Sequence, residues 1–435
     1  MHERTQKALC RLAFVCLCAL PTMLVLSVIA VSWTPWYYRY QLAQLEARLT
    51  DELGLRVEIA DFERPAPSVL RLRGVVIREN ETGAEVGRVR LASFAELDDK
   101  RILRVHQPEL QSAQLQHAWQ IIHDRFLCQP ALTSQPMVIA ADDLTLHSKT
   151  GGVTLRDTVA RVTPRGKNIE ADLEFLPAGR ETDTKATVSV VRNRSGSLPE
   201  TRWQLYTGGI PLPCSALAGY LPALQKLGPD AEFNGSLRWK LASDGWSVDL
   251  AGAKFTDIDL SEVFDGLPHK LTGRASVHLV TCKIQPGRAA DISGSLVAQE
   301  GYLGTGLLTA AEQHLGIAAV AETGDENSLW YDLLAMRFEV LGAKMTLRGN
   351  CRNHRGYEAL PPGVVLSTVS APLAVCREDQ PMWATNLVAA LAPQHAALVP
   401  YSQQTAALGQ MLVPPERPLP EGTLPAVPRI SLRRE

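Results

Sequence analysis

Apolar and polar residues alternate one by one in many separate stretches of this 435-residue chain. In residues 169–175, for example, apolar side chains alternate with acidic ones. A period of two is typical of β-strands in antiparallel sheets that have one apolar face and one solvated face. The same pattern predicts a β-hairpin over 69–92 with its turn at 80–83, and strands at 102–105, 138–147, 153–162, 185–192, 237–241, 246–250, 274–281, 289–298, 336–342 and 344–349.

Few stretches carry the helical spacing of apolar residues. An amphipathic helix is predicted at 42–53, ended by Gly54, and shorter helices are predicted at 119–126, 217–224 and 307–315. So few helices cannot cover the apolar face of a sheet of about ten strands or more. We therefore expect the sheet to curl, to stack on itself, or to present an apolar channel to another molecule.

Residues 12–31 contain no charged side chain. A helix of that length spans about 30 Å, the thickness of a bilayer's hydrocarbon core. The residues that flank this stretch are basic on one side and aromatic on the other: Arg4, Lys7 and Arg11, then Trp33, Trp36, Tyr37, Tyr38 and Tyr40. This asymmetry predicts a single-pass anchor with a cytoplasmic N-terminus, continued outward by the helix at 42–53. The alternative is a cleaved signal peptide, whose apolar region would be about 7–15 residues long.

Composition and motifs argue against several classes of protein. The 44 basic and 46 acidic side chains nearly cancel, which gives no support for a nucleic-acid partner. Nucleophile, phosphate-loop, zinc-protease and dinucleotide motifs do not occur, so we expect neither an enzyme nor a cofactor.

The glycine-rich stretch 301–306 is interpreted as a turn before the helix at 307–315. No CxxC or Cys/His spacing indicates a metal site, and His117 with His123 is disfavoured as a ligand pair. Cysteines beyond the anchor are expected to be unpaired, with a Cys351–Cys376 disulfide as the alternative.

Several segments occur in a characteristic order behind the predicted anchor. A short helix ends in glycine and is followed by a strand, then by a strand with leucine, glycine and valine, and then by a strand that ends in a proline. These segments are residues 49–59, 70–77 and 105–110. This order resembles the start of AsmA-like proteins. Residues 255–260, 271–275 and 293–296 are similar to the repeats of the same family.

The resemblance implies an inner-membrane protein whose body forms an elongated, curved antiparallel β-sheet groove in the periplasm. Members of this family, including TamB-type proteins, are linked to lipid movement between membranes and to outer-membrane assembly. With the few short helices predicted above, the expected fold class is mainly β. Four regions are expected: an anchor at 1–36, a helix and hairpin region at 37–130, a repetitive β-groove at 131–392, and a Pro-rich, largely disordered tail at 393–435.

Two sets of residues are candidates for binding phospholipids. Guanidinium groups match the geometry of phosphate, and four arginines of the predicted hairpin could share one face: Arg71, Arg73, Arg88 and Arg90. Acyl chains could lie along apolar strand faces, where the candidates are Leu173, Phe175, Leu237, Trp239, Leu241, Trp246, Val248 and Leu250. Burial there contributes about 25 cal/mol per Å². The alternative for the arginines is an ordinary solvated face.

The function that the resemblance implies is binding of membrane lipids without catalysis, in phospholipid transport or outer-membrane assembly, and the apolar strand faces are compatible with it. The second hypothesis is an envelope scaffold that binds a protein partner through sheet edges and through the Pro-rich tail. An exported enzyme is the third.

Overall fold

The computed structural model describes residues 13–392, apart from 98, 116–122, 124–126, 129–134, 149–150, 167, 180–183, 196–198, 218–221, 243–244, 286–289, 321–326 and 377–380. Within these residues the protein is mainly β, with few helices, as the alternation predicts. The chain forms two compact units. Unit 1 comprises residues up to Ile210 together with Ser236–Trp246, and unit 2 comprises Pro211–Gly235 and the residues from Ser247 onward.

The strands, in chain order, are β1 (Arg56–Ala66), β2 (Val69–Arg78), β3 (Glu85–Glu96), β4 (Arg101–Gln111), β5 (Met137–Ser148), β6 (Gly151–Arg165), β7 (Asn168–Pro177), β8 (Ala186–Asn193), β9 (Glu200–Tyr206), β10 (Leu212–Pro213), β11 (Glu232–Asn234), β12 (Ser236–Ala242), β13 (Gly245–Asp249), β14 (Lys254–Asp259), β15 (Arg274–Ile284), β16 (Asp291–Gly304), β17 (Ile317–Ala319), β18 (Ser328–Leu341), β19 (Lys344–Gly349), β20 (Val364–Ser367), β21 (Pro372–Cys376) and β22 (Met382–Trp383).

The helices are α1 (Leu20–Ser32), which continues a π-helical turn at Val15–Ala19, α2 (Pro35–Leu53), α3 (Cys214–Leu217), α4 (Leu260–Val263), α5 (Thr305–Leu315) and α6 (Thr385–Leu391). Short 3₁₀ turns lie at Ser112–Gln114, Pro222–Leu227 and Cys351–Asn353.

Unit 1 contains one sheet whose strands follow the chain, in the order β1 to β9 and then β12. The predicted hairpin at 69–92 is confirmed as β2 and β3. All neighbouring strands are antiparallel except β4 and β5, which are parallel. The expectation of a purely antiparallel sheet is therefore wrong at this position. Parallel neighbours need a long connection, and residues 112–136 supply one here.

Strand alternation in unit 1 is interrupted along one line across the sheet. Leu72 and Val75 both belong to the core beneath α2, although they are three residues apart. Between them Gly74 has a φ of 60°, and Gln107 in β4 and Asp157 in β6 each have a φ of 48°. Such irregularities bend a strand and increase its twist, so the sheet bends where they align.

Helix α2 packs on the β1–β4 end of this sheet. Its leucines at 42, 45, 49 and 53 contact a core that includes Val57, Ile59 and Ala92. The helix begins after Thr34, whose hydroxyl accepts the N–H of Tyr37, and it ends at Gly54 in the left-handed region. The predicted amphipathic helix and its stop are therefore confirmed.

The same helix also closes the outer edge of β1. The N–H of Val57 donates to the Thr50 hydroxyl at 3.2 Å, and the N–H of Ile59 donates to the Glu46 carboxylate at 2.8 Å. Edge strands expose unpaired backbone groups that invite another strand. Here the side chains of α2 accept hydrogen bonds from these backbone N–H groups instead.

The N-terminal helices do not form one continuous rod. Among the described residues, no single helix combines the length and hydropathy of a membrane span. Residues Val15–Val31 and Pro35–Leu53 meet that criterion only together, and they are bent by 69°. Helix α2 therefore follows the predicted anchor only after a break in the chain before Pro35. The predicted cytoplasmic arginines and lysine lie outside the described residues.

Unit 2 is built around the long antiparallel pair β16 and β18. Beyond β16 the order of strands is β15, β14, β11 and β10. On the other side, β19 and β20 pair with different parts of β18. Strand β22 then pairs with β19, while β21 pairs with β20 and β17 pairs with β21. Helix α5 buries Leu307, Leu308 and Leu315 in the main core, together with Leu334 of β18. Leu333, on the neighbouring position of the strand, is buried in a second cluster with Val364.

Other expectations have mixed outcomes in unit 2. The helix predicted at 307–315 is confirmed as α5. The turn predicted at 301–306 is wrong, because β16 runs to Gly304 and α5 begins at the next residue. Only the ends of the helix predicted at 217–224 are described: Leu217 is the last residue of α3, and residues 222–224 belong to a 3₁₀ turn. Residues 218–221 lie outside the described part. Cys351 and Cys376 are not joined by a disulfide, so the alternative pairing is wrong. The Pro-rich tail and most of the helix predicted at 119–126 lie outside the described residues.

Candidate functional site

An apolar row crosses nine consecutive strands of unit 1 on one face. Each member lies directly opposite the next across the ladder, so all of them share that face. From β2 to β12 the row consists of Leu70, Phe94, Leu103, Ile139, Ala160, Leu173, Val188, Leu205 and Leu237. We call this set the apolar row.

A second apolar line runs beside it on the same face over six strands. It consists of Met137, Val162, Ala171, Val190, Trp203 and Trp239. The rings of Trp203 and Trp239 stack with centroids 6.2 Å apart. Strands β5 to β12 therefore carry a broad apolar face.

The opposite face of the same strands is polar. A line of directly opposed residues there consists of Arg161, Asp172, Ser189, Gln204 and Arg238. Ion pairs such as Arg161 with Glu174, at 2.8 Å, lie exposed on this side. The sheet of unit 1 is thus amphipathic.

The covering elements that the structure describes reach only parts of the apolar row. Leu70 and Leu103 pack in the core beneath α2. Near the other end Leu127 is buried against Val188 and Val190. Arg194 holds Leu127 there by donating a hydrogen bond to its carbonyl oxygen.

Between these two covers the row is less protected. Ile139, Ala160 and Leu173 are only partly buried, and none of them belongs to either cluster. Apolar side chains that remain partly accessible in the middle of a sheet face can accept an apolar ligand without rearrangement of a core.

The apolar candidates from the sequence are divided between the two units. Leu173, Phe175, Leu237, Trp239 and Leu241 lie on the apolar face of unit 1. The remaining three do not join them. Trp246 is the last residue of unit 1, while Val248 lies opposite Ile284 in unit 2, where Leu250 follows β13.

The four candidate arginines are exposed and lie together on the face that points away from α2. Arg71 stands between Leu70 and Leu72, which pack toward α2. Each of the other three arginines is also next in sequence to a residue that packs toward α2, so its side chain points to the other face. Three of them already have partners. Arg73 bonds to Glu63 at 2.8 Å, Arg88 to Glu85 at 3.1 Å, and Arg90 to the Gln107 side chain at 3.0 Å.

The arginines and the apolar row therefore occupy opposite faces of one sheet. A lipid whose chains lie on the apolar row cannot present its phosphate to Arg71 or its neighbours, because the sheet lies between them. The prediction that the hairpin arginines bind phospholipid phosphates therefore stays a prediction, and it cannot concern a lipid whose chains lie on the apolar row.

Sequence reasoning missed part of the row. Strand β9, which contributes Leu205, was not predicted, and Phe94 and Val188 were not named as ligand-facing. The signal was present in the alternation of residues 201–205, but Thr201 is a hydroxyl residue on the apolar side and weakens it there.

Few polar side chains among the described residues are placed where they could act in catalysis or bind a metal ion. His106 and Asp142 lie 2.8 Å apart on the exposed face of β4 and β5. The thiol of Cys128 lies 3.7 Å from His123 Nδ1. Burial raises the pKa of the Cys214 thiol to about 12 and that of Cys282 to about 11, so both are poor nucleophiles. Within the described ranges, no group of three or more His, Cys, Asp or Glu side chains is arranged to hold a metal ion.

No protein-family model, curated protein or solved structure matches this chain. The proposals below therefore depend on its own residues and geometry.

Proposed function

We propose that this protein binds the acyl chains of membrane phospholipids along the apolar row and assists phospholipid transport between membranes or outer-membrane assembly, as an AsmA-like protein would. In this proposal α1 anchors the chain in the inner membrane, the N-terminus is cytoplasmic, and both units lie in the periplasm. The observation that carries the proposal is the apolar row, whose centre is partly exposed although its opposite face is polar.

The dimensions of the row suit an extended apolar ligand. Strands in a sheet are spaced about 4.8 Å apart, so nine strands give a row of about 38 Å along the sheet. That length exceeds the roughly 30 Å of a bilayer's hydrocarbon core. Each methylene group that leaves water contributes about 0.8 kcal/mol, so even part of one chain would bind measurably.

The scaffold hypothesis receives less support from unit 1. Binding through a sheet edge requires free backbone donors and acceptors. At the β1 edge, Thr50 and Glu46 already accept two of the donors, and the Tyr38 hydroxyl accepts the N–H of Phe62 at 3.3 Å. An added strand would have to displace α2.

Lipid content of the purified full-length chain tests the proposal. The protein is extracted in a neutral detergent, and its co-purifying phospholipids are quantified by mass spectrometry. Leu173→Glu places a charge in the middle of the apolar row, whereas Ser189→Glu adds the same charge on the polar face of the next strand. We expect phospholipid in near-stoichiometric amount with the wild type and with Ser189→Glu, and a loss of roughly tenfold with Leu173→Glu.

Two results would contradict the proposal. One is a wild-type chain that is folded and free of lipid. The other is an equal lipid content in the two glutamate variants, which would show that bound lipid does not contact the apolar row.

A further inference from the structure

Three residues on neighbouring strands form a short polar row on the face away from α2. Arg71 of β2 lies directly opposite Ser93 of β3, and Ser93 lies directly opposite Arg104 of β4. Arg104 follows Leu103, which packs toward α2, so its side chain points the other way, as that of Arg71 does. Both arginines are exposed.

None of these three side chains has a hydrogen bond or ion pair within the part of the chain that the structure describes. The acidic residues closest to them in the ladder are engaged elsewhere. Glu63, opposite Arg71, binds Arg73 at 2.8 Å. Asp142, on the next strand beyond Arg104, binds His106 at 2.8 Å. Two positive charges therefore flank one hydroxyl without a carboxylate between them.

We propose that Arg71, Ser93 and Arg104 form a binding site for a phosphate group. Opposed residues on adjacent strands have Cβ atoms about 5 Å apart, so the two arginines start about 10 Å apart with Ser93 midway. Their guanidinium groups fold over Ser93 from both sides and each donates a pair of N–H bonds to phosphate oxygens, and the hydroxyl donates one more bond. The site goes beyond the lipid-binding function proposed above, because it lies on the opposite face and stands without it.

The surroundings favour the phosphate of a lipid head group over free phosphate. The next row on the same face is apolar and consists of Val69, Ala95, Ile102 and Val138. The site also lies toward the start of α2. Asp61, whose carboxylate accepts the Tyr38 hydroxyl, is opposite Arg73, and Arg71 is one position further along the face. The apolar helix α1 ends six residues before Tyr38, so the phosphate site lies toward the end of α2 that the chain reaches directly from α1.

This assignment differs from the arginine set that the sequence suggests. Only Arg71 is common to both. Arg88 and Arg90 lie on the same face but bind Glu85 and Gln107, and a phosphate would have to replace those partners.

Calorimetric titration of the full-length chain in neutral detergent tests the site with three probes. They are dihexanoyl phosphatidylglycerol, dihexanoylglycerol, which has the same chains but no phosphate, and inorganic phosphate. The variant Arg71→Gln/Arg104→Gln removes both guanidinium groups. The matched control Arg88→Gln/Arg90→Gln removes the same charge from the same face. Thermal unfolding of all three proteins verifies that they remain folded.

We expect the phosphatidylglycerol probe to bind the wild type more tightly than dihexanoylglycerol, whose chains can bind only the apolar row, and inorganic phosphate to bind more weakly than the lipid. The site variant should lose at least about tenfold in affinity, and the control should stay within about twofold. An absence of binding by both phosphate-bearing probes would overturn the site. Equal losses in the two variants would overturn it as well, since diffuse charge would then explain binding. Inorganic phosphate that binds as tightly as the lipid would overturn the lipid as its source.

Discussion

Units 1 and 2 are built from the same kind of alternating strand, yet they bury their apolar faces differently. In unit 2 the central strand β18 is covered on both sides, with Leu334 in the core beneath α5 and Leu333 in the cluster around Val364. In unit 1 a sheet of ten strands has α2 packed over one end and Leu127 packed over part of the other end. Leu173 lies between them, only partly buried.

This difference shows that alternation alone does not decide whether a sheet becomes a closed core or a binding face. The decision depends on whether the chain supplies a covering element. Unit 2 does so with α5, which precedes β18 in the chain, and with residues 351–364, which follow β19. Unit 1 leaves the middle of the apolar row without one among the described residues, which is where we place the ligand.

The largest effect is expected from truncation in the covered core of unit 2. Leu308→Ala removes a side chain that is 4 % exposed and leaves a cavity between α5 and the sheet. The cost should be about 3 kcal/mol. Urea titrations read by pulse proteolysis, with the surviving fragments assigned to each unit by mass spectrometry, should show unit 2 weakened and unit 1 unchanged. A cost below about 1 kcal/mol would show that this core is looser than its burial indicates.

Alkaline pH should weaken unit 2 by a somewhat smaller amount. Tyr331 is fully buried, and burial raises its pKa to about 12. An unfolded tyrosine loses its proton near pH 10, so between pH 10 and 12 the folded state binds more protons and stability falls as pH rises. The Tyr331 share should reach between about 2 and 3 kcal/mol by pH 12.

The variant Tyr331→Phe isolates that share. It loses the hydrogen bond to the Thr272 carbonyl, at a cost of about 1 kcal/mol at neutral pH, but its alkaline decline should be shallower. The same urea titrations at pH 8, 10 and 11.5 measure both effects. An equally steep decline in the variant would refute the role of Tyr331.

In unit 1 the helix that closes the β1 edge should contribute a moderate amount. Glu46→Ala leaves the Ile59 N–H without its acceptor, at a cost of about 1 to 2 kcal/mol. Hydrogen exchange should accelerate at the Ile59 amide in particular. Arg48→Ala on the same helix is the control, because its pair with Glu52 is exposed and should contribute little. Unchanged exchange at Ile59 would mean that α2 does not close the edge.

The smallest effect is expected at the centre of the apolar row. Leu173→Ala should cost less than about 1 kcal/mol, since the side chain is already partly exposed and no closed cavity can form. Pulse proteolysis of unit 1 measures this cost. A loss as large as that of Leu308→Ala would mean that the row is a covered core and not a binding face.

Local features of this fold could be predicted from the sequence. The hairpin of β2 and β3, the strand β7 and the helix α5 follow from periodicity over a few residues. The opposite placement of arginines and apolar residues was also available, because Leu70, Arg71 and Leu72 must alternate in direction along a strand.

Long-range and close-contact features could not be predicted in the same way. The parallel pairing of β4 with β5 depends on where a long connection returns, which has no local signal. Glycines misled at 301–306, where they indicate a turn. Position 301 lies within β16 and requires glycine, because an added Cβ would be 2.0 Å from the Thr272 carbonyl oxygen. This contact joins segments that are distant in sequence.

Photo-crosslinking in whole cells tests the central claim most directly. Benzoylphenylalanine is placed in the full-length chain at Leu173, on the apolar row, or at Asp172, the adjacent residue on the polar face of β7. After irradiation, mass spectrometry of the purified protein should find phospholipid adducts with the probe at 173 and few or none with the probe at 172. Equal adduct yields at the two positions, or protein adducts alone at 173, would contradict the account.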